Sequence, residues 1–377
     1  MGTVSAKLST EHKRFHGLDA LRAVAMSLGI LLHATLPYFD TSGVWPSQGT
    51  NSTILWGLFE FIHIWRMPLF FVLSGFFAGL IVQRRSWRAF QSHRVRRIAL
   101  PLLIFAPLIA FAMPHIFSFG WVGNFTDLIY PEIYFNPWHL WFLIYLLWFV
   151  LLMSIWRIIS SVFSRVIPIV GKSCHSPVKS SLTAFFSKVP LLFVITLVIL
   201  MILLDSTELH ENSVVSFAYF LFGYGLYSRQ NLIEMMKQYS HLYLAVGTIG
   251  FALYLYIAPQ VTKIYTSGQE DPGLGLLYVI LKGTCAVTFS FGLIGLAEAK
   301  IRAKNDKVRL IADSSYWIYL IHLPIVTLIS FAMFKSPLPA EIKFLIAVIG
   351  TSTISFITYQ LFVRKTFVGV LLNGRRL

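Results

Sequence analysis

The feature that most constrains this chain is a series of apolar stretches, each about long enough to cross a bilayer. A hydrocarbon core about 30 Å thick takes about 20 residues of helix. Such stretches run over 18–38, 54–82, 98–115, 138–156, 189–204, 213–227, 240–258, 274–298, 311–333 and 342–363. Inside lipid a backbone must satisfy its own hydrogen bonds, so the runs read as helices. The expected fold is all-α, a bundle of about ten transmembrane helices forming a single membrane-embedded domain over residues 1–377. Composition agrees, since 56% of the residues are hydrophobic and only 12% are charged, unlike a soluble domain. The longest polar stretch, 157–188, is too short and too rich in Ser and Lys for a second core, and no internal repeat stands out.

A net charge of +15 raises the question of nucleic acid, and the placement of the charge answers it. With the N-terminus inside, 25 of the 31 Lys and Arg fall in inside segments, including six arginines between Arg84 and Arg97. Lys263, Lys335 and Lys343 fall outside, and Arg22, Arg66 and Lys282 fall within helices. The positive-inside rule therefore puts both termini in the cytoplasm and, with membrane lipid as the partner, leaves no role for nucleic acid. The first helix lacks a small-x-small cleavage site after His33 and reads as retained rather than as a signal peptide. Cys174 and Cys285 imply neither a pair nor a metal site, and no metal or cofactor is expected. The sequons at Asn51 and Asn124 matter only in a eukaryotic secretory pathway.

Ionisable side chains inside a bilayer cost about 2.5–3.5 kcal/mol each on insertion scales, so each is a candidate for function. Arg22 and His33 lie eleven residues apart in the first helix, about 16 Å along one face, with Met26 and Gly29 between them. The second helix carries Glu60, His63 and Arg66, whose three-residue spacing is expected to keep them on one flank, with Glu60 at the depth of His33 and able to orient its ring. His139 opens the fourth helix, and Tyr319 and His322 reach mid-membrane on the ninth, so all are candidate substrate-lining groups. Each has a plainer reading. His63, His139 and His322 serve equally as packing residues, and Arg66 and Glu60 could neutralise each other. Gly75 and Gly79 read as close helix packing. Trp45, Trp121, Tyr134 and Trp138 suit an interfacial belt better than a sugar platform. The stretch RRSWRAFQSHRVRRIALP either anchors anionic lipid or, through Arg94 and Arg97, forks onto phosphate.

A histidine reachable from outside and arginines reachable from inside suit a reaction whose two substrates arrive from opposite sides. Acyl transfer fits this. A cytoplasmic acyl-CoA would set its phosphates on Arg94, Arg97 and Arg22, and His33 would take the proton of an acceptor hydroxyl. The pair Arg22 and His33, the R-x-x-R of Arg94 and Arg97, HLWFL at 139–143 and SYWIYLIHLPI at 315–325 resemble the acyltransferase 3 family of membrane acyltransferases. FIHIWRMPLFFVLSGFFAG at 61–79 is most similar to its glucan biosynthesis protein C branch, whose role is succinylation of osmoregulated periplasmic glucans. The resemblance implies that His33 is the essential catalytic residue and that Arg22, Arg94 and Arg97 serve activity or donor binding. It also implies an inner-membrane enzyme with succinyl-CoA as donor and an oligosaccharide or other envelope glycan as acceptor. Arg66 is the residue expected to grip the succinyl carboxylate. Competing expectations are an O-acetyltransferase of another envelope glycan, and a proton-coupled transporter using His33, Glu60, His63 and His322 as a relay.

Overall fold

The computed structural model describes residues 15–41, 43–126, 137–166, 199, 212–301 and 306–373. Among these, every regular element is a helix: α1 (His16–Thr35), α2 (Thr53–Arg84), α3 (Trp87–Arg94), α4 (Leu100–Val122), α5 (Trp141–Val166) and α6 (Ser213–Ser228). They are followed by α7 (Asn231–Gln238), α8 (Ser240–Thr266), α9 (Pro272–Lys300), α10 (Asp306–Ala332), α11 (Ala340–Thr358) and α12 (Phe367–Asn373). Eight spans among the described residues are long and apolar enough to cross a membrane, and the chain is a multi-pass membrane protein. The expected helix at 213–227 forms as α6, but its 16 residues make about 24 Å of helix, short of a full crossing. The expected helix at 189–204 lies, but for Ile199, outside the described residues.

Capping side chains explain where several helices begin. Ser52 accepts from the Leu55 N–H (3.3 Å), Ser86 from Ala89 (3.1 Å), Asn212 from Val214 (2.9 Å) and Asp271 from Leu274 (3.0 Å). The start of α1 has no such cap of its own. The Leu18 N–H donates instead to Glu298 Oε1 of α9 at 2.9 Å, which puts a carboxylate on the positive end of the helix. The helix expected at 98–115 runs on to Val122 and ends at Gly123, whose φ of 82° makes the left-handed turn. Pro107 and Pro114 do not stop it, because neighbouring helices tolerate freed carbonyls inside a bundle. The arginine-rich stretch before it is helical as well, as α3 followed by a π turn over Val95–Ala99.

Packing sorts the helices into a centre and a rim. Both α2 and α9 are mostly buried, and α1 packs against α2, α9, α10 and α11. Glycines bring α2 against α6, as a side chain at Gly75 would overlap the Phe220 carbonyl and one at Gly223 the Val72 carbonyl. Such contacts hold membrane helices by close backbone approach rather than by expelling water. The rim helices α4, α5, α8 and α11 leave Leu103, Phe111, Trp156, Leu253, Tyr256 and Ile349 exposed, as a lipid-facing surface requires.

Candidate active site

The stripe Met26, Gly29, His33 on α1 faces inward, and Met26 and His33 line a cavity of about 360 Å³. His63 and Arg66 of α2 line it too, with His139 from the start of α5 and Tyr319 of α10. Phe70, Phe142 and Tyr145 form part of its apolar wall. This is the setting in which a few polar groups on an apolar background mark a ligand site. Among the described residues no acidic side chain lines it, and no group of three His, Cys, Asp or Glu is placed to hold a metal ion.

Three imidazoles gather at one point. The ring centroid of His33 is 5.3 Å from that of His322 and 6.5 Å from that of His139, while His139 and His322 are 4.9 Å apart. The carbonyl of Tyr319 accepts from both His322 Nδ1 (2.7 Å) and His139 Nε2 (2.9 Å), and the Tyr319 hydroxyl donates back to the His139 carbonyl (2.6 Å). His139 is delivered to this spot by Trp138, whose φ of 49° is unusual for a bulky residue. Opposite these groups, Gly29 leaves a notch. A Cβ there would lie 3.1 Å from His322 Nε2 and 3.5 Å from Arg66 Nη2, so both groups close on α1 where it has no side chain.

Glu60 is not part of this cluster, which corrects the expectation that it orients His33. Its Oε2 accepts from the Tyr254 hydroxyl at 2.7 Å, and Tyr254 Oη lies 3.2 Å from Tyr278 Oη, on the α8 and α9 side of α2. Helix geometry gives the reason. Each step of three residues turns back about 60°, so Glu60, His63 and Arg66 spiral through about 120° instead of sharing a flank. Arg66 and Glu60 form no ion pair with each other, and Arg66 is buried beside the notch.

Trp45 is also corrected. It belongs to no interfacial belt, for its ring stacks on His33 (6.1 Å between centroids, 11° between planes) and meets Phe117 edge-on at 4.7 Å. Backbone bonds from Gln48 to Pro37 (3.1 Å) and from Ser52 to Tyr38 (2.9 Å) fold this loop back over the end of α1. Only tertiary folding makes that contact, so periodicity could not have found it. Trp121 and Trp138 are half-buried, and Tyr134 lies outside the described residues.

About 16 Å along α1 from His33, the arginines assemble. Arg22 pairs with Asp19 (3.5 Å) and covers the Phe77 ring (4.9 Å). Arg94 is buried, donates to the Ser74 carbonyl (3.3 Å) and lies over Phe90 (5.1 Å). Arg22 and Arg97 both act on Arg94 electrostatically, and the Tyr316 hydroxyl donates to the Arg97 carbonyl at 2.7 Å. The π turn at 95–99 carries Arg97 and is a device that recurs at functional sites. Arg22, Arg94 and Arg97 are thus brought together, with Tyr316 of α10 as a member that motif spacing alone did not reveal.

Known proteins resemble this chain in sequence. The curated relatives include Glucans biosynthesis protein C of Shigella dysenteriae serotype 1 (strain Sd197), 33% identical over 144 residues. Glucans biosynthesis protein C of Escherichia coli (strain K12) is 32% identical over 144 residues. In both cases the match covers 36% of this chain and 36% of the relative, so the chain spans about a third of the length of the relatives it matches. No solved structure matches the chain. The family described as Acyltransferase domain matches residues 15–360, nearly the whole length and all of the residues described above as the site. The chain belongs to the acyltransferase 3 family of membrane acyltransferases.

Proposed function

We propose that the protein moves an acyl group from a cytoplasmic acyl-CoA, through the inner membrane, to a hydroxyl of an envelope glycan. The observation that carries this is His33 on the wall of an intramembrane cavity, one helix face and about 16 Å from a cluster of arginines. That separation matches a donor whose phosphates rest on Arg22, Arg94 and Arg97 while its thioester reaches inward. The hydroxyl oxygen attacks the thioester carbonyl carbon, the C–O bond forms and the C–S bond breaks. His33 takes the hydroxyl proton and returns it to the departing thiolate, a role worth about 10²- to 10⁴-fold in rate.

The donor is succinyl-CoA. Its free carboxylate needs a partner in a cavity with little water, because a buried unpaired charge is prohibitive. Arg66 supplies a guanidinium at the cavity wall, in a shape suited to gripping two oxygens. A glucan acceptor is supported by the names of the relatives.

Purified protein given radiolabelled succinyl-CoA and an oligoglucan should place label on the glycan. The four imidazoles His33, His63, His139 and His322 within the membrane favour a second reading, a proton-coupled carrier. Substrate flux into sealed vesicles with no covalent product would establish the carrier in place of the enzyme. A preference for acetyl-CoA would make the protein an O-acetyltransferase.

A further inference from the structure

A histidine that acts as a base needs its bare nitrogen toward the substrate and its N–H held behind. In Ser-His-Asp sites a buried carboxylate does the holding. Glu60 faces elsewhere, and among the described residues no acid lines the cavity. The Tyr319 carbonyl offers a different solution. A carbonyl oxygen only accepts, so His322 Nδ1 (2.7 Å) and His139 Nε2 (2.9 Å) must each carry their hydrogen. In the neutral rings the remaining nitrogens, His322 Nε2 and His139 Nδ1, are then bare acceptors, and both are buried. His322 Nε2 stands at the Gly29 notch, one turn from His33 on α1. His33 Nδ1 is buried as well, so Nε2 is the nitrogen left to face the cavity.

We infer that His322 is the positioning residue of this site: His33 Nδ1 and His322 Nε2 are both buried without a partner in the structure, with ring centroids 5.3 Å apart, and a turn of the His33 ring lets the bare Nε2 accept its Nδ1–H. The inference rests on the acyl-transfer reading given above. This hydrogen bond leaves the His33 Nε2 lone pair for the acceptor hydroxyl and steadies the imidazolium that forms when the proton arrives. Among the other polar neighbours of the His33 ring, Arg66 and Trp45 carry only donors and cannot take its N–H, while His63 is an imidazole on the same cavity wall whose direction no backbone carbonyl is shown to fix as Tyr319 fixes that of His322. His139, whose ring centroid is 6.5 Å away, carries a second bare nitrogen. His322 is itself held by the Ile318 carbonyl (3.2 Å) in addition to Tyr319, so its direction is set by α10, and His33 is the ring that turns. Catalytic hydrogen bonds of this kind tighten when substrate binds.

The test uses the full chain in lipid nanodiscs, labelled with ¹⁵N-histidine, with the His33 signals assigned by their loss in His33→Ala. Nδ1 should be protonated and Nε2 bare in the resting protein, and this preference should vanish in His322→Phe. Kinetically, His322→Phe should lower kcat about 10²-fold with little change in either KM, a fraction of what losing the base itself costs. His322→Gln keeps an acceptor oxygen and should recover about tenfold of that loss. The opposite His33 tautomer in the wild-type protein overturns the inference, whether or not the Phe variant folds. So does a Gln variant that folds but is as slow as Phe. Wild-type protein without any acyl transfer would instead count against the proposed function, since the tautomer is read without turnover.

Discussion

Gly29→Ala adds one methyl group at the place where His322 and Arg66 close on α1. The new carbon would lie 3.1 Å from His322 Nε2, tight enough that the ring must give by a few tenths of an ångström, and 3.5 Å from Arg66 Nη2, an ordinary contact. A misplacement of about 1 Å in a catalytic constellation costs about 10²-fold, so a shift of about 0.3 Å should cost about fourfold, or about 0.8 kcal/mol of barrier. Alanine is favoured over glycine within a helix by up to about 1 kcal/mol, which offsets the crowding in the folded state. The expected outcome is a three- to tenfold lower kcat with unchanged KM and a melting temperature no lower than wild type. Steady-state acyl transfer and thermal unfolding of the same detergent preparation measure both. An unchanged kcat would mean that the groups over the notch do not act in the reaction. A fall in melting temperature that parallels the loss of activity would mean that Gly29 serves packing alone.

Two further outcomes separate the arginine cluster from the cavity. Arg94→Ala with Arg97→Ala should raise KM for acyl-CoA and leave KM for the acceptor nearly alone; a change confined to the acceptor would place the phosphates elsewhere. Arg66→Gln should cut succinyl transfer by the value of a charge-assisted bond, about 1.5–3 kcal/mol or roughly 10- to 150-fold, with acetyl transfer much less affected. Equal losses with both donors would make Arg66 a structural residue.

The membrane character, the inward stripe on α1 and the company of His33, Arg66, His139 and His322 were legible from the sequence, because all follow from helix periodicity and the cost of polarity in lipid. Glu60 departs from its expected place because a spacing of three is not one face: two such steps rotate the side chain away from Arg66 and onto Tyr254. The contact of Trp45 with His33 depends on a loop folding back, for which sequence has no period. The helical state of α3 has a local signal in Ser86, which caps its first turn. Tyr319 is legible as a mid-membrane residue able to line a substrate path. Its carbonyl, which fixes two imidazoles at once, depends on how α5 docks on α10 and is written in no motif.

Transfer through His33 is tested most directly in cells. A deletion strain is complemented with the wild-type gene or with His33→Ala, and its envelope glycans are weighed by mass spectrometry, with membrane levels of both proteins matched. Wild type should restore a population of glycans heavier by succinyl groups, and His33→Ala should restore none. Glycans equally succinylated by the two proteins, or unmodified by either while a solute crosses the membrane, would contradict the assignment of His33 as the base of an acyltransferase.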